Sequence, residues 1–503
     1  MKPTNYDSDF CGSLPIHLTN LIQPYGVLLI VNKVTAEIIQ ASENTDAVFG
    51  KPVQEVVSSA LSDHLQEKTF KHLQEKLNNE FNDHIPSVWE INKKHFLVLI
   101  HRKEKYLVVE IDAEPVTLGK QESFVEVYQE VKVAMSSIEA TKTIEETCML
   151  ATKELKRISG FDKVMIYSFD SEWNGTVLAE EKESDMEAYM GFTFPASDIP
   201  KQARQLYLKN PYRFIPDRDY KPVKLYPVIN PATGSFIDLS DCNLRSVAAV
   251  HVEYLKNMGV TASMSTRIMH QDTLWGLIAC HHKTAKYMSF EMCSIFEMIS
   301  SMISVKITSL QNQSSLALEN NIKTGYAQLI ESVFKSNELD KNLLSQQGVL
   351  QLFDASGAVV TRNGRFYTEG ETPRQDQLEE LLLWLHTKEL KKVFATEILG
   401  YEYEYGRDYA DVGSGMLVIP INYLKDQYLI LFRKEKVRII NWGGNPEERI
   451  QFEKDEKNYH PRNSFKQWQQ KVQGVSQSWK KEELDIAETL RSFIYEYETS
   501  SAY

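Results

Sequence analysis

Cysteine is scarce. The chain has five (Cys11, Cys148, Cys242, Cys280 and Cys293) among 503 residues, none in a CxxC pair. An odd, scattered set excludes a disulfide framework and leaves no recognisable zinc site. Cys148, Cys280 and Cys293 sit in apolar or helical contexts and read as inert core thiols. Cys11 stands apart, in a polar leader where no core needs it. Long apolar runs are missing too. VLLIV (27–31) and FLVLI (96–100) fall far short of the ~18 residues that span a bilayer. The start, MKPTNYDSDF, has no apolar signal core, so a cytoplasmic protein is expected. Excess positive charge is also absent. A formal net charge of -13 argues against nucleic acid as a partner and against an anionic membrane surface. There is no kinase His box with an ATP-binding glycine set, no Walker loop and no GxSxG elbow, so an enzyme is not expected.

What is present divides into three blocks, as ~150 residues per domain would suggest. In the first, to about residue 115, YGVLLIV (25–31), AEIIQAS (36–42), HFLVLIH (95–101) and YLVVEID (106–112) read as strands of a small α+β sensor-like module. The second spans 125–310. A helix over 124–159 is expected, then strands at 163–170, 261–269 and 274–282, with an irregular, proline-rich excursion at 213–241. Gly and Pro are both absent from 287–324, where apolar residues keep a helical spacing; such a helix would reach ~57 Å and needs a neighbour to lean on, most simply its twin in a dimer. The third block, 325–503, repeats the sensor pattern with strands at 349–360, 415–421 and 427–435, a polar excursion at 438–465 and a closing helix.

The stretch GFTFPASDIP (191–200) raises the chemical question. Ser197 or Asp198 would serve as an N-cap for the helix KQARQLYLK. Yet Pro195 and Pro200 fix the backbone on both sides, more than a cap requires. A carboxylate held beside Phe192, Phe194 and Ile199 would either stabilise a buried cation or be shifted until it shares a proton. Other polar groups accompany it: Tyr207, Arg213, then Arg245, His251 and Tyr254 on one expected helix, Ser263 and Ser265 on one strand face, and His281 and His282 ending the next strand. Alone, each histidine would read as a satisfied core residue. Two guanidiniums, two serines and a tyrosine together suit the carboxylates of a ligand.

CGSLPIHLTNLIQPYG (11–26), FPASDIP (194–200), LRSVAAVHVEYLKNMGV (244–260), LWGLIACHH (274–282), WGG (442–444) and PRNSF (461–465) occur in one order, and with them the whole chain resembles a bacterial phytochrome. The resemblance implies an α+β fold of three tandem antiparallel-sheet domains, PAS (1–115), GAF (125–310) and PHY (325–503), joined by long helices. It also implies a figure-of-eight knot, with the leader around Ile22-Gln23-Pro24 threaded through the excursion at 214–242. The implied cofactor is biliverdin, a linear tetrapyrrole held through a thioether at Cys11.

By the same resemblance, the Asp198 carbonyl faces the pyrrole nitrogens, and His251 shares a water with them. Arg213, Arg245, Tyr207, Ser263 and Ser265 match positions holding the two propionates, and His281 matches the partner of the D-ring carbonyl. Met165, Tyr167, Tyr189, Phe194 and Tyr254 match the walls, with Ile199 and Pro200 completing the binding turn. Arg462 matches the tongue arginine that pairs with Asp198, while Trp442, Gly443, Gly444, Ser464 and Trp479 match anchors of alternative tongue folds. The implied function is red/far-red light sensing: D-ring isomerisation, a tongue changing from hairpin to helix, and a long helix carrying the change to a homodimer and an output histidine kinase or other effector. Three positions depart from the pattern: Ala248-Ala249 replaces the usual Ser-Pro, Tyr25 the usual His, and Val250 stands where plant-type relatives carry their cysteine. A GAF-type sensor of a cyclic nucleotide or haem, without photochemistry, is the alternative.

Overall fold

The computed structural model describes residues 15–78, 84–116, 121–345, 347–446, 450–452, 459–461 and 463–501. It divides into two compact units: residues 1–310 with 441–468, and residues 311–440 with 469–503.

Among the described residues the first unit holds two large sheets and a two-stranded pair, Ile450–Phe452 with Tyr459–Pro461. In one, five antiparallel strands run in spatial order Ile38–Ser42, Gly26–Asn32, Tyr106–Asp112, Lys94–Arg102, His84–Ile91. Two short strands, Val223–Tyr226 and Leu21–Ile22, extend it to seven beyond Ile38–Ser42. The strand YLVVEID (106–112) is buried at every position, which a half-exposed strand would not be. Alternation explains it. Leu107, Val109 and Ile111 face the module's own core with Trp89 and Phe96. Tyr106 and Val108 face the other way, onto Ile237, Leu239, Cys242 and Leu244 of the proline-rich excursion.

That excursion also grips the leader. Leu21 and Ile22 pair with Lys224 and Val223, while Ile22 bridges to Arg245 on its other side. Gln23 is fully buried; its amide donates to the Leu244 carbonyl at 2.7 Å and its Nε2 to that of Phe214 at 3.0 Å. The leader thus lies between residues 223–225 and 243–246, the arrangement a threaded leader requires.

The second sheet has eight strands, centred on Lys163–Phe169, Thr273–His282 and Ala262–His270. One face packs on the helices Ile144–Ser159 and Phe290–Ser336 through Cys148, Ala151, Leu155, Phe296, Ile299, Ile303 and Ile307. That 47-residue helix is long and apolar enough to cross a membrane by length and composition alone, and 39% of its apolar window is buried.

The second unit is a five-stranded antiparallel sheet with a core on each face. Leu417, Ile419 and Leu431 meet the far part of the long helix and the closing helix Lys481–Ser501; Met416, Val418 and Phe432 meet the helix Gln375–Thr387.

Three expectations are corrected. The helix over 124–159 is two, Gln121–Glu139 and Ile144–Ser159, because Thr143 caps the second by accepting the Glu146 amide at 3.1 Å. The strand at 349–360 is a short helix, Val349–Leu352, then a strand, Gly357–Arg362, separated by Asp354 at φ 45°. Arg245 does not share a helix with His251. The helix is Ala249–Asn257, and the backbone before it stays non-helical because its amides and carbonyls bond to the first domain and to Arg213.

Candidate functional site

On the eight-stranded sheet, register decides which side chains meet. Arg213, Ser265, Ala279 and Met165 stand opposite one another across four strands, and Ser263, His281 and Lys163 form the next row. These rows floor a cavity of about 250 Å³. Its roof is the turn Ala196–Asp198, the helix Lys201–Lys209 and the helix Ala249–Asn257. The structure brings Met165, Tyr167, Phe194, Asp198, Ile199, Pro200, Tyr207, Arg213, Arg245, His251, Tyr254, Ser263, Ser265 and His281 together around it. Tyr189 is not part of the lining: its ring lies 3.4 Å from the buried Lys163 ammonium and meets Phe194 edge-on, so it supports the wall from behind. Cys11 and Arg462 lie outside the described residues.

Asp198 is no helix cap. The residue preceding the helix is Pro200, with no side-chain cap, and an Asp198 carboxylate oxygen instead accepts the Tyr254 hydroxyl at 2.8 Å. Arg204, which the sequence did not single out, fixes this turn by donating to the carbonyls of Ala196 and Ile199 (3.3 and 2.5 Å). Its guanidinium stacks on Trp173.

The two ends of the cavity differ in charge. At one end the Tyr207 hydroxyl meets Ser265 at 2.6 Å, and Arg213 donates to the carbonyls of Asn243 (3.2 Å) and Arg245. Arg245 donates to the Ile16 carbonyl and leaves its Nε without a partner. Among the described residues neither guanidinium has a carboxylate within ion-pair distance. Burial, then the neighbouring Arg213, draws Arg245 down to about 9, still cationic at neutral pH. Burial and then the nearby Arg213 push His251 down to about 4, and its ring stacks on Tyr254 with 6.0 Å between centroids. Burial, followed by Lys163 and His251, takes His281 to about 3. Its Nδ1 is buried and without a partner. This space suits an elongated ligand with carboxylates at the guanidinium end, an apolar middle and a neutral polar group at the imidazole end.

Described residues at 441–446 and 461–468, Arg462 apart, close one side. Strand Arg438–Gly443 joins the sheet in parallel with Phe192–Phe194, pairing Asn441 with Phe192 and Trp442 with Thr193. A side chain at Gly443 would meet the Phe194 ring at 2.7 Å, and Gly444 sits at φ 108°, where only glycine is at ease. Pro461 borders the cavity, Phe465 packs edge-on against Tyr254, and Asn257 donates to Asn463 at 3.0 Å. The Ser464 hydroxyl accepts from the Lys466 amide at 3.4 Å. Trp479 belongs to the second unit, buried under the Arg433 guanidinium and donating to the Thr396 carbonyl at 3.2 Å.

Family comparison matches the chain to the PAS fold over residues 11–116, the GAF domain over 143–307 and the phytochrome region over 322–502. It is 37% identical to cyanobacterial phytochrome B of Nostoc sp., over 98% of this chain and 66% of that protein. It is 30% identical to a bacteriophytochrome of Xanthomonas campestris, over 97% of this chain and 78% of that one. The chain spans about two thirds of the length of its cyanobacterial relatives, 66%, 64% and 65%. Among solved structures, the photosensory core module of a Stigmatella aurantiaca phytochrome superposes with a TM-score of 0.83 at 31% identity, covering 98% of both chains. A bacteriophytochrome from R. palustris gives 0.85 at 29% identity, over 98% of this chain and 99% of that one.

Proposed function

The chain belongs to the phytochrome family, and from that premise we propose that it is a red/far-red photoreceptor binding biliverdin in the cavity of its middle domain. One observation carries the reading: a buried guanidinium, Arg245, and a half-buried one, Arg213, lack a carboxylate partner among the described residues, while a buried nitrogen of His281 lacks any partner. A linear tetrapyrrole has two propionates to meet the first and a ring carbonyl to meet the second. When bound, that pigment supplies light absorption and a double bond that isomerises.

The chain's own residues do the rest. Arg213 and Arg245, with Tyr207, Ser263 and Ser265, hold the propionates. Neutral His251 accepts a proton-sharing hydrogen bond from pyrrole N–H groups, and neutral His281 donates to the terminal carbonyl. Met165, Tyr167, Phe194 and Tyr254 exclude water along the middle. Cys11 supplies the thiolate for a thioether; Val250 supplies none at the plant-type position. Arg462, next after the cavity-lining Pro461, pairs with Asp198 in the resting state. A pair of that kind adds little net stability but makes a good switch, since losing one partner strands a costly charge.

Signalling then proceeds by release of residues 441–468 from the sheet and through the helix Phe290–Ser336 to a homodimer and an output effector. The test is to mix purified apoprotein with biliverdin. A strong red band that converts reversibly under red and far-red light is expected. A spectroscopically silent mixture, or a band that illumination leaves unchanged, overturns the proposal in favour of a non-photochemical sensor.

A further inference from the structure

Acidic residues inside YLVVEID (106–112) are out of place in a strand buried on both faces. Glu110 is fully buried, and its carboxylate has three partners. Oε1 pairs with Nε2 of the buried His101 at 2.5 Å, and His101 Nδ1 meets Nδ1 of His84 at 2.9 Å. Oε2 accepts the Leu244 amide at 2.6 Å and the Cys242 thiol at 3.0 Å. Burial alone would raise this carboxyl, but bonds from His101, Cys242 and Leu244 outweigh it and hold the group below its ordinary value. A first-domain carboxylate therefore stays ionised at the base of a middle-domain segment.

The segment it grips is the one that orients the cationic end of the cavity. With the Leu244 amide bound to Glu110, the carbonyls on either side, of Asn243 and Arg245, both receive Arg213. Tyr25 also donates to the Asn243 carbonyl, at 3.1 Å, and Gln23 takes the Leu244 carbonyl. Leu244 itself is fully buried against Leu28 and Val108, so the backbone has no freedom to compensate if the amide is released. The Arg213 guanidinium thus gets its direction from two carbonyls rather than from an acid, and Glu110 sets that pair of carbonyls.

We propose that Glu110 is a positioning residue for the Arg213–Arg245 pair, through which the first domain sets the middle domain's selectivity for a ligand with free carboxylates. This rests on the functional reading above. Its measurable consequence is a ratio: the affinity for biliverdin divided by that for biliverdin dimethyl ester, whose esterified propionates cannot engage the guanidiniums. In Glu110→Leu, similar in size but with no acceptor, the ratio should fall about tenfold, the scale of one charge-assisted hydrogen bond. Glu110→Gln keeps one oxygen for the Leu244 amide and should recover most of it. Should the leucine variant not fold, Glu110→Asp draws the carboxylate back by one methylene and should show the same drop. A parent-like ratio in folded variants, with both pigments weakened equally, would mark Glu110 as merely structural and overturn the inference. If the parent chain binds neither pigment, the functional reading fails and takes this inference with it.

Discussion

The two ends of the cavity face the same physical problem, burial of basic groups, and solve it oppositely. Desolvation penalises every charge, but an ordinary guanidinium lies so far above neutrality that even a drop to about 9 leaves Arg245 charged. An imidazole starts near 6.5, so the same penalty discharges His251 and His281, at about 4 and about 3. One kind of environment therefore yields a fixed cationic end and a neutral donor–acceptor end. The choice of side chain assigns the charge.

The leader meets the cavity at the guanidinium end, where the Ile16 carbonyl accepts from Arg245. Cys11 is five residues earlier, within ~18 Å of chain. The most severe test of the contrast is Cys11→Ser, expected to abolish covalent pigment altogether; pigment fluorescence persisting on a zinc-stained denaturing gel would refute attachment from this end. Next, Arg213→Ala with Arg245→Ala should weaken biliverdin binding by about 100-fold or more, because two charge-assisted contacts are lost. His281→Gln should cost only a few-fold and shift the absorption band instead. Equal affinity losses in a titration of both variants would erase the distinction between the ends.

The histidines should also shape acid stability. Their folded values lie below the unfolded 6.5, so as pH falls from 6.5 toward about 4 and about 3 the unfolded chain takes up protons that the native chain refuses. Stability is full above 6.5 and declines below it, by up to about 1.4 kcal/mol per pH unit for each histidine. In apoprotein, His281→Gln should flatten the fall of denaturation midpoint between pH 6 and 4; an unchanged slope would mean that His281 is protonated when folded. The smallest effect is expected from Tyr254→Phe, which removes the hydroxyl bound to Asp198 and should cost about 1 kcal/mol in chemical denaturation.

Much of this was legible in the sequence, and the misses have identifiable causes. Alternation along SMS and ACHH put Ser263, Ser265 and His281 on one face, because side-chain period is local and exact in a strand. Tyr189 stands behind the wall and Arg245 outside the helix because their neighbours are distant in the chain: Lys163 meets the tyrosine ring, and partners at residues 22 and 110 hold residues 244–245 out of the helix. The helix break at 140–143 was signalled by Thr143 and Glu146, a capping pair hidden within an otherwise helical run. Glu110 carried the plainest unread signal, an acid within a strand otherwise rich in apolar residues.

The parallel pairing of Asn441 and Trp442 with Phe192 and Thr193 also guards a sheet edge. While it holds, the outer rim of Phe192–Phe194 is sealed. Without residues 441–443, that rim would offer bare amides and carbonyls to any stray chain, as an unguarded sheet margin does. A shortened protein lacking residues 441–468 should be prone to clump through that seam.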